Sequence, residues 1–180
     1  MSPVLLLIPG MSNTPAVWSR TRDHLAAEND LETRVVDIRP AADIAAMAAA
    51  CWAAVADLPD DRPLFLAGFS MGGYVALEML SGAPRAVQGL ALICSSARGD
   101  SPDSAPMRAR AIAAAGRDFS RYVDSVTRWL MAHAPDADEE LMRTIRGDQL
   151  AAGAATTIAQ QHAVARRAEH RARRATACCC

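Results

Sequence analysis

The residues best suited to chemistry lie in Gly68-Phe69-Ser70-Met71-Gly72. Glycine two places either side of a serine is what a very tight strand-to-helix turn needs, because a side chain there would strike the neighbouring strand or helix. Such a turn lifts the serine hydroxyl above the sheet edge as a nucleophile for acyl transfer. The backbone N–H of the next residue, Met71, then points to where a tetrahedral oxyanion forms, helped by the positive end of the new helix. A second donor is expected from the loop Pro9-Gly10-Met11-Ser12-Asn13-Thr14, with Met11 N–H the candidate and Gly10 allowing close approach of the backbone.

These residues carry that chemistry only if the flanking elements are right. Leu64-Phe65-Leu66-Ala67 is an apolar run that predicts a buried strand, and residues 72–80 a helix stopped by Ser81-Gly82-Ala83-Pro84. The run Val4-Leu5-Leu6-Leu7-Ile8, closed by Pro9-Gly10, predicts a strand buried on both faces. Thr14-Pro15 then offers an N-cap and a proline in the first turn of a helix to about residue 27. Residues 33–38 and 88–94 predict two more strands. Between them Asp43 can cap a helix over 44–56, whose Ile44, Met47, Cys51, Val55 and Leu58 recur at helical spacing. Strands alternating with helices imply right-handed crossovers. The fold class expected is α/β, a mostly parallel sheet with helices on both faces. From residue 107 to about residue 166 only helical patterns follow, with no further strand candidate.

The segments Leu6-Leu7-Ile8-Pro9-Gly10 with Trp18 following, Ala67-Gly68-Phe69-Ser70-Met71-Gly72-Gly73-Tyr74-Val75-Ala76-Leu77-Glu78 and Leu90-Ala91-Leu92-Ile93-Cys94-Ser95-Ser96-Ala97-Arg98 together resemble the α/β-hydrolase superfamily, in its compact bacterial esterase-like branch. The resemblance covers residues 4–161. It implies a hydrolase core over 1–98 and a helical cap over 99–161 that would exclude water and set substrate choice. It also implies hydrolysis of a carboxylic ester, thioester or lactone through an acyl-Ser70 intermediate.

In that superfamily the order is serine, acid, histidine, with the acid and histidine on loops after the last two strands. No such strand or loop is legible here, so the triad acid and histidine are unassigned. Asp100 and Asp103 follow the fourth predicted strand, where some members carry the acid, but an ordinary loop aspartate is the simpler reading. His24 precedes the serine in the first helix. His133 and His162 belong to the cap-like region, and His170 to an Arg-, Ala- and Cys-rich stretch over 162–180. With no Lys and abundant Ala, the composition is that of a GC-rich gene, and 162–180 has the vocabulary of such a gene read out of frame. The alternative to the serine hydrolase is therefore a truncated, catalytically inactive hydrolase-like domain.

The remaining composition narrows partners and compartment. A formal net charge of −1 gives no global attraction to nucleic acid or to an anionic membrane. No apolar run approaches the roughly 20 residues of a membrane span. The N-terminus lacks a basic segment before its short apolar run, so no secretory signal is read and the cytoplasm is expected. Five cysteines, three of them residues 178–180, give neither a disulfide framework nor zinc-ligand spacing, and Cys51 and Cys94 read as small core residues. Asp136-Ala137-Asp138-Glu139-Glu140 reads as a helix start. No metal and no cofactor are expected, and the partner is a small acyl substrate.

Overall fold

A computed structural model describes residues 2–28, 30–132 and 138–170. His133, Asp136 and Cys178 to Cys180 lie outside the described residues.

Strands β1 (Val4–Ile8), β2 (Glu32–Val35), β3 (Leu64–Phe69) and β4 (Gly89–Ile93) form one parallel sheet in the order β2-β1-β3-β4. Alternation along β1 and β3 divides the core. Val4, Leu6, Ile8, Leu64 and Leu66 face a cluster with Met47, Cys51, Val75 and Met79 of α2 (Ile44–Ala53) and α3 (Met71–Ser81). Leu7 and Ala67 turn the other way, onto Trp18 with Leu5, Val35 and Phe69 around them. Leu6, Leu7, Ile8, Leu64 and Met47 lose essentially all contact with water, each contributing roughly 1.5–3 kcal/mol of transfer free energy.

The local signals act as physical caps. Asp43 Oδ1 accepts the N–H of Ala46 at 2.8 Å, opening α2. Thr14 accepts from Ala16 N–H, but the turn it caps is 3-10, over Pro15–Trp18, before α1 (Ser19–Glu28) begins. The second strand ends at Val35 rather than Ile38. Val36 and Ile38 are still buried, so their apolar side chains serve the core from an irregular segment. Helix α2 stops at Ala53, three residues early, as the chain tightens into turns ending at Leu58.

Among the described residues four α-helices follow β4: α4 (Ala105–Arg117), α5 (Phe119–Met131), α6 (Glu139–Ala152) and α7 (Ala154–Ala165). Asp118 and Asp138 cap α5 and α6 through their carboxylates. No strand follows β4 among the described residues. Helix α7 runs through residue 162, and its Ala163 and Val164 enter the larger core cluster. Glu169 accepts from Gly99 N–H, and His170 N–H donates to Ala97 O.

One expectation about the core is corrected at β4. Cys51 is buried but Cys94 is exposed, as are Ala91, Leu92 and Ile93. An apolar strand reads as buried on both sides, yet β4 pairs only with β3 among the described residues, and its outer flank faces water.

Candidate active site

Ser70 sits between the last residue of β3 and the first of α3, with φ 51° and ψ −114°. A non-glycine residue there pays in backbone strain and persists only where its surroundings force it. They do so on three sides. Ser70 N–H donates to Ile93 O at 2.8 Å, its carbonyl accepts Gly73 N–H at 3.0 Å, and Ser95 Oγ donates to the same carbonyl at 2.8 Å. The glycines make the turn possible by their lack of a side chain. A Cβ on Gly68 would lie 2.4 Å from Gly72 O, and one on Gly72 would lie 2.2 Å from Ile8 O. Both collisions are with backbone, which cannot swing aside. Gly73, which the motif alone does not single out, is also closely packed, but against a side chain: its Cβ would lie 2.2 Å from Ser95 Oγ and 2.5 Å from Ser95 Cβ.

Ser70 is half-buried, and its hydroxyl makes no hydrogen bond to a described residue. Met71 is buried at the first position of α3, and Met11 is half-buried against the main core cluster. The backbone N–H groups of Met11 and Met71 likewise have no hydrogen-bond acceptor among the described residues.

Two neighbouring N–H groups in the loop after β1, those of Ser12 and Thr14, are taken. Ser12, at φ 58°, donates its N–H to Gln160 Oε1 of α7 at 2.8 Å, and its hydroxyl meets Thr157 Oγ1 at 2.9 Å. Asp148 of α6 accepts from Asn13 Nδ2 at 2.9 Å, from Thr14 N–H at 3.1 Å and from Thr14 Oγ1. No sequence motif marks Asp148, Thr157 or Gln160, and Ser95 lies in a segment that carries the family resemblance without its role being legible there; their roles come from contacts spanning 25 to 148 positions.

The titratable residues near the end of β4 are used otherwise. Asp100 receives a two-pronged pair from Arg108, both contacts 2.7 Å, and a third from Arg167 at 2.8 Å. The Arg108 hydrogen bonds first, then those of Arg167, hold its carboxyl below the usual carboxylate range. A carboxylate so engaged is not orienting an imidazole. Arg167 also stacks over Tyr74, 4.2 Å from the ring centre, one turn after Ser70 on α3. Asp103 is exposed in a 3-10 turn, its N–H bonded to Ser101 Oγ.

Among the described histidines, His24 and His162 are exposed, on α1 and α7. His170 is buried and sits 3.2 Å from Glu78 Oε2 and 3.4 Å from Ser81 Oγ. Glu78 lies eight positions beyond Ser70, about 12 Å along the helix at 1.5 Å per residue. Ser81 ends α3, where carbonyls rather than N–H groups face out, so the Ser81–His170–Glu78 cluster has no helix N–H groups to hold an oxyanion. No described imidazole hydrogen-bonds Ser70.

A cleft of about 430 Å³ opens between α5 and α6, lined by Asp124, Thr127, Arg128, Met142, Arg143 and Arg146. Another of about 430 Å³ lies beside Asp100, Arg108, Gln161 and His162. Ser70 lines neither. Among the described residues no group of three His, Cys, Asp or Glu is placed to hold a metal, and no helix is long and apolar enough to cross a membrane.

The family model described as Thioesterase domain matches residues 19–178. A pimeloyl-[acyl-carrier protein] methyl ester esterase of Neisseria meningitidis is 31% identical over 136 residues, covering 71% of this chain and 48% of the relative. The chain thus spans about half the length of the curated relatives it matches. A thermophilic esterase from Thermogutta terrifontis superposes with a TM-score of 0.74 at 25% identity, over 94% of this chain and 65% of that one. An enol-lactonase from Burkholderia xenovorans gives 0.74 at 15% identity, over 94% and 67%, a likeness of fold. The parallel sheet, the turn at Ser70 and these matches agree: the chain belongs to the Thioesterase domain family, within the α/β-hydrolase superfamily.

Proposed function

We propose that the chain carries the acylating half of a carboxylic ester, thioester or lactone hydrolase, with Ser70 as the nucleophile. The observation that supports this best is the strained backbone of Ser70, φ 51°, between two glycines whose Cβ atoms would collide with backbone. A fold holds a serine in that conformation at a cost, and lifting the hydroxyl clear of the sheet is what the cost obtains. In the proposed step Ser70 Oγ attacks the acyl carbon, its proton passing to a base. The oxyanion is held by the N–H groups of Met71 and Met11, the alcohol or thiol departs, and water later cleaves the acyl-serine ester. Residues 99–161 serve as the cap of this site and residues 1–98 as its core. The substrate is a small acyl compound met in the cytoplasm, without nucleic acid or membrane as partner.

Two observations favour a second reading, an inert domain: no described histidine is hydrogen-bonded to Ser70, and Asp100 is committed to two arginines. Loss of base and acid in a triad costs on the order of 10⁶ in turnover. A fluorophosphonate probe separates the two. Labelling of the purified chain at Ser70, absent in Ser70→Ala, supports the hydrolase; a chain that stays unlabelled while folded supports the inert domain.

A further inference from the structure

Resting on the reading of Ser70 as nucleophile, we propose that Gln160 and Asp148 are positioning residues through which the cap helices hold the oxyanion donor of Met11 in place. The loop from Pro9 to Thr14 makes few bonds of its own, and what shapes it comes from α6 and α7. Gln160 is fully buried and accepts the N–H of Ser12, fixing the peptide plane directly after Met11. Thr157, equally buried, holds the Ser12 hydroxyl. Asp148 gathers Asn13 and the backbone and side chain of Thr14, closing the loop's far end. The N–H groups of Ser12 and Thr14 are thus consumed by the cap, while that of Met11, like those of Gly10 and Asn13, has no acceptor among the described residues.

Two details point beyond simple packing. Ser12 is held at φ 58°, a left-handed conformation, so without its partners the loop would relax to commoner backbone angles and turn the Met11 peptide with it. Gln160 Nε2 is buried with no acceptor, because the amide is oriented to keep Oε1 on Ser12 N–H. An apolar residue would fill that space without an unmatched donor, so the cost is tied to gripping this one N–H. The consequence is mechanical coupling: a displacement of α6 or α7 withdraws the Met11 donor, so cap placement and oxyanion-hole assembly are one event.

The test measures phosphonylation of Ser70 by a fluorophosphonate at a series of concentrations, separating the maximal inactivation rate from the half-saturating concentration, with melting temperature alongside. Removing an oxyanion donor outright costs 10²–10³ in rate in a well-studied protease, and a misaimed one should cost on the order of tenfold or more. Gln160→Met and Asp148→Asn are expected to lower the maximal rate by about that factor with the half-saturating concentration little changed. Thr157→Val, a near-isosteric change, should lower it a few-fold and serves if the other two fail to fold. Arg85→Met, which removes hydrogen bonds to the carbonyls of Leu58, Pro59 and Arg62 before the start of β3, at the opposite end of that strand from Ser70, should lower melting temperature while leaving the rate within about twofold. Variants that melt earlier but label at the parent rate overturn the inference and leave Ser70 intact as nucleophile. A parent chain that does not label at Ser70 overturns both readings at once.

Discussion

The strain assigned to Ser70 can be measured without any substrate, by replacing it with glycine and, separately, with alanine. Backbone angles such as φ 51°, ψ −114° cost a side-chain-bearing residue roughly 1–3 kcal/mol. Glycine escapes that cost but gains freedom in the unfolded chain, worth about 0.5–1 kcal/mol against it. The Ser70 hydroxyl has no hydrogen bond to a described residue, so its loss should change stability by less than about 0.5 kcal/mol in either substitution. Ser70→Ala should therefore match the parent, while Ser70→Gly should exceed it by about 1 kcal/mol, a rise of about 2–4 °C in melting temperature at this chain length. Urea and thermal unfolding followed by the fluorescence of Trp18 and Trp52, one on each side of the sheet, would report both. If Ser70→Gly is no more stable than Ser70→Ala, the turn is not strained, and the main structural support for Ser70 as nucleophile falls with it.

Two further outcomes follow from burial and charge. Burial pushes the Cys51 thiol up to about 12, whereas Cys94 is exposed. In a variant with Cys178, Cys179 and Cys180 changed to serine, iodoacetamide at pH 8 should therefore modify one thiol, Cys94, until guanidinium frees the second; early loss of both thiols refutes the core placement of Cys51. Asp100 has its pKa depressed by Arg108 and Arg167, so its contribution to stability is present above the unfolded value of about 3.9 and is lost as pH falls through the folded value. Asp100→Asn should accordingly be less stable than the parent at pH 7, with the gap narrowing below about pH 4; a gap that stays constant with pH means the ion pairs are not the source.

Patterns short enough to be local were legible in the sequence. A five-residue apolar run before Pro-Gly, an Asp before an Ala-rich helix and a Gly-x-Ser-x-Gly between strand and helix each name their own structure, because capping, steric and burial constraints act within a few residues. The exposure of Cys94 was not legible, since an apolar strand looks the same whether it lies inside a sheet or at its edge; only the pairing partners decide. Nor could the sequence show that Arg167 would close over Tyr74 and Asp100. A run of Arg and Ala carries no periodicity to mark which arginine turns inward, and the ion pair spans 67 positions.

The same distinction separates the two parts of the candidate site. Ser70 and Met71 are placed by one turn whose glycines admit a single close-packed geometry, so the motif alone could locate them. The loop that carries Met11 is held at Ser12, Asn13 and Thr14 by Asp148, Thr157 and Gln160, polar residues in helices without a motif, more than 130 positions away. A proposed nucleophile encoded locally and a proposed donor encoded at long range need not be lost together. Destabilising α6 and α7 would slow acylation while leaving the Ser70 turn formed, whereas a Cβ at Gly68 or Gly72 would disrupt the turn itself, along with the strand and helix that meet there.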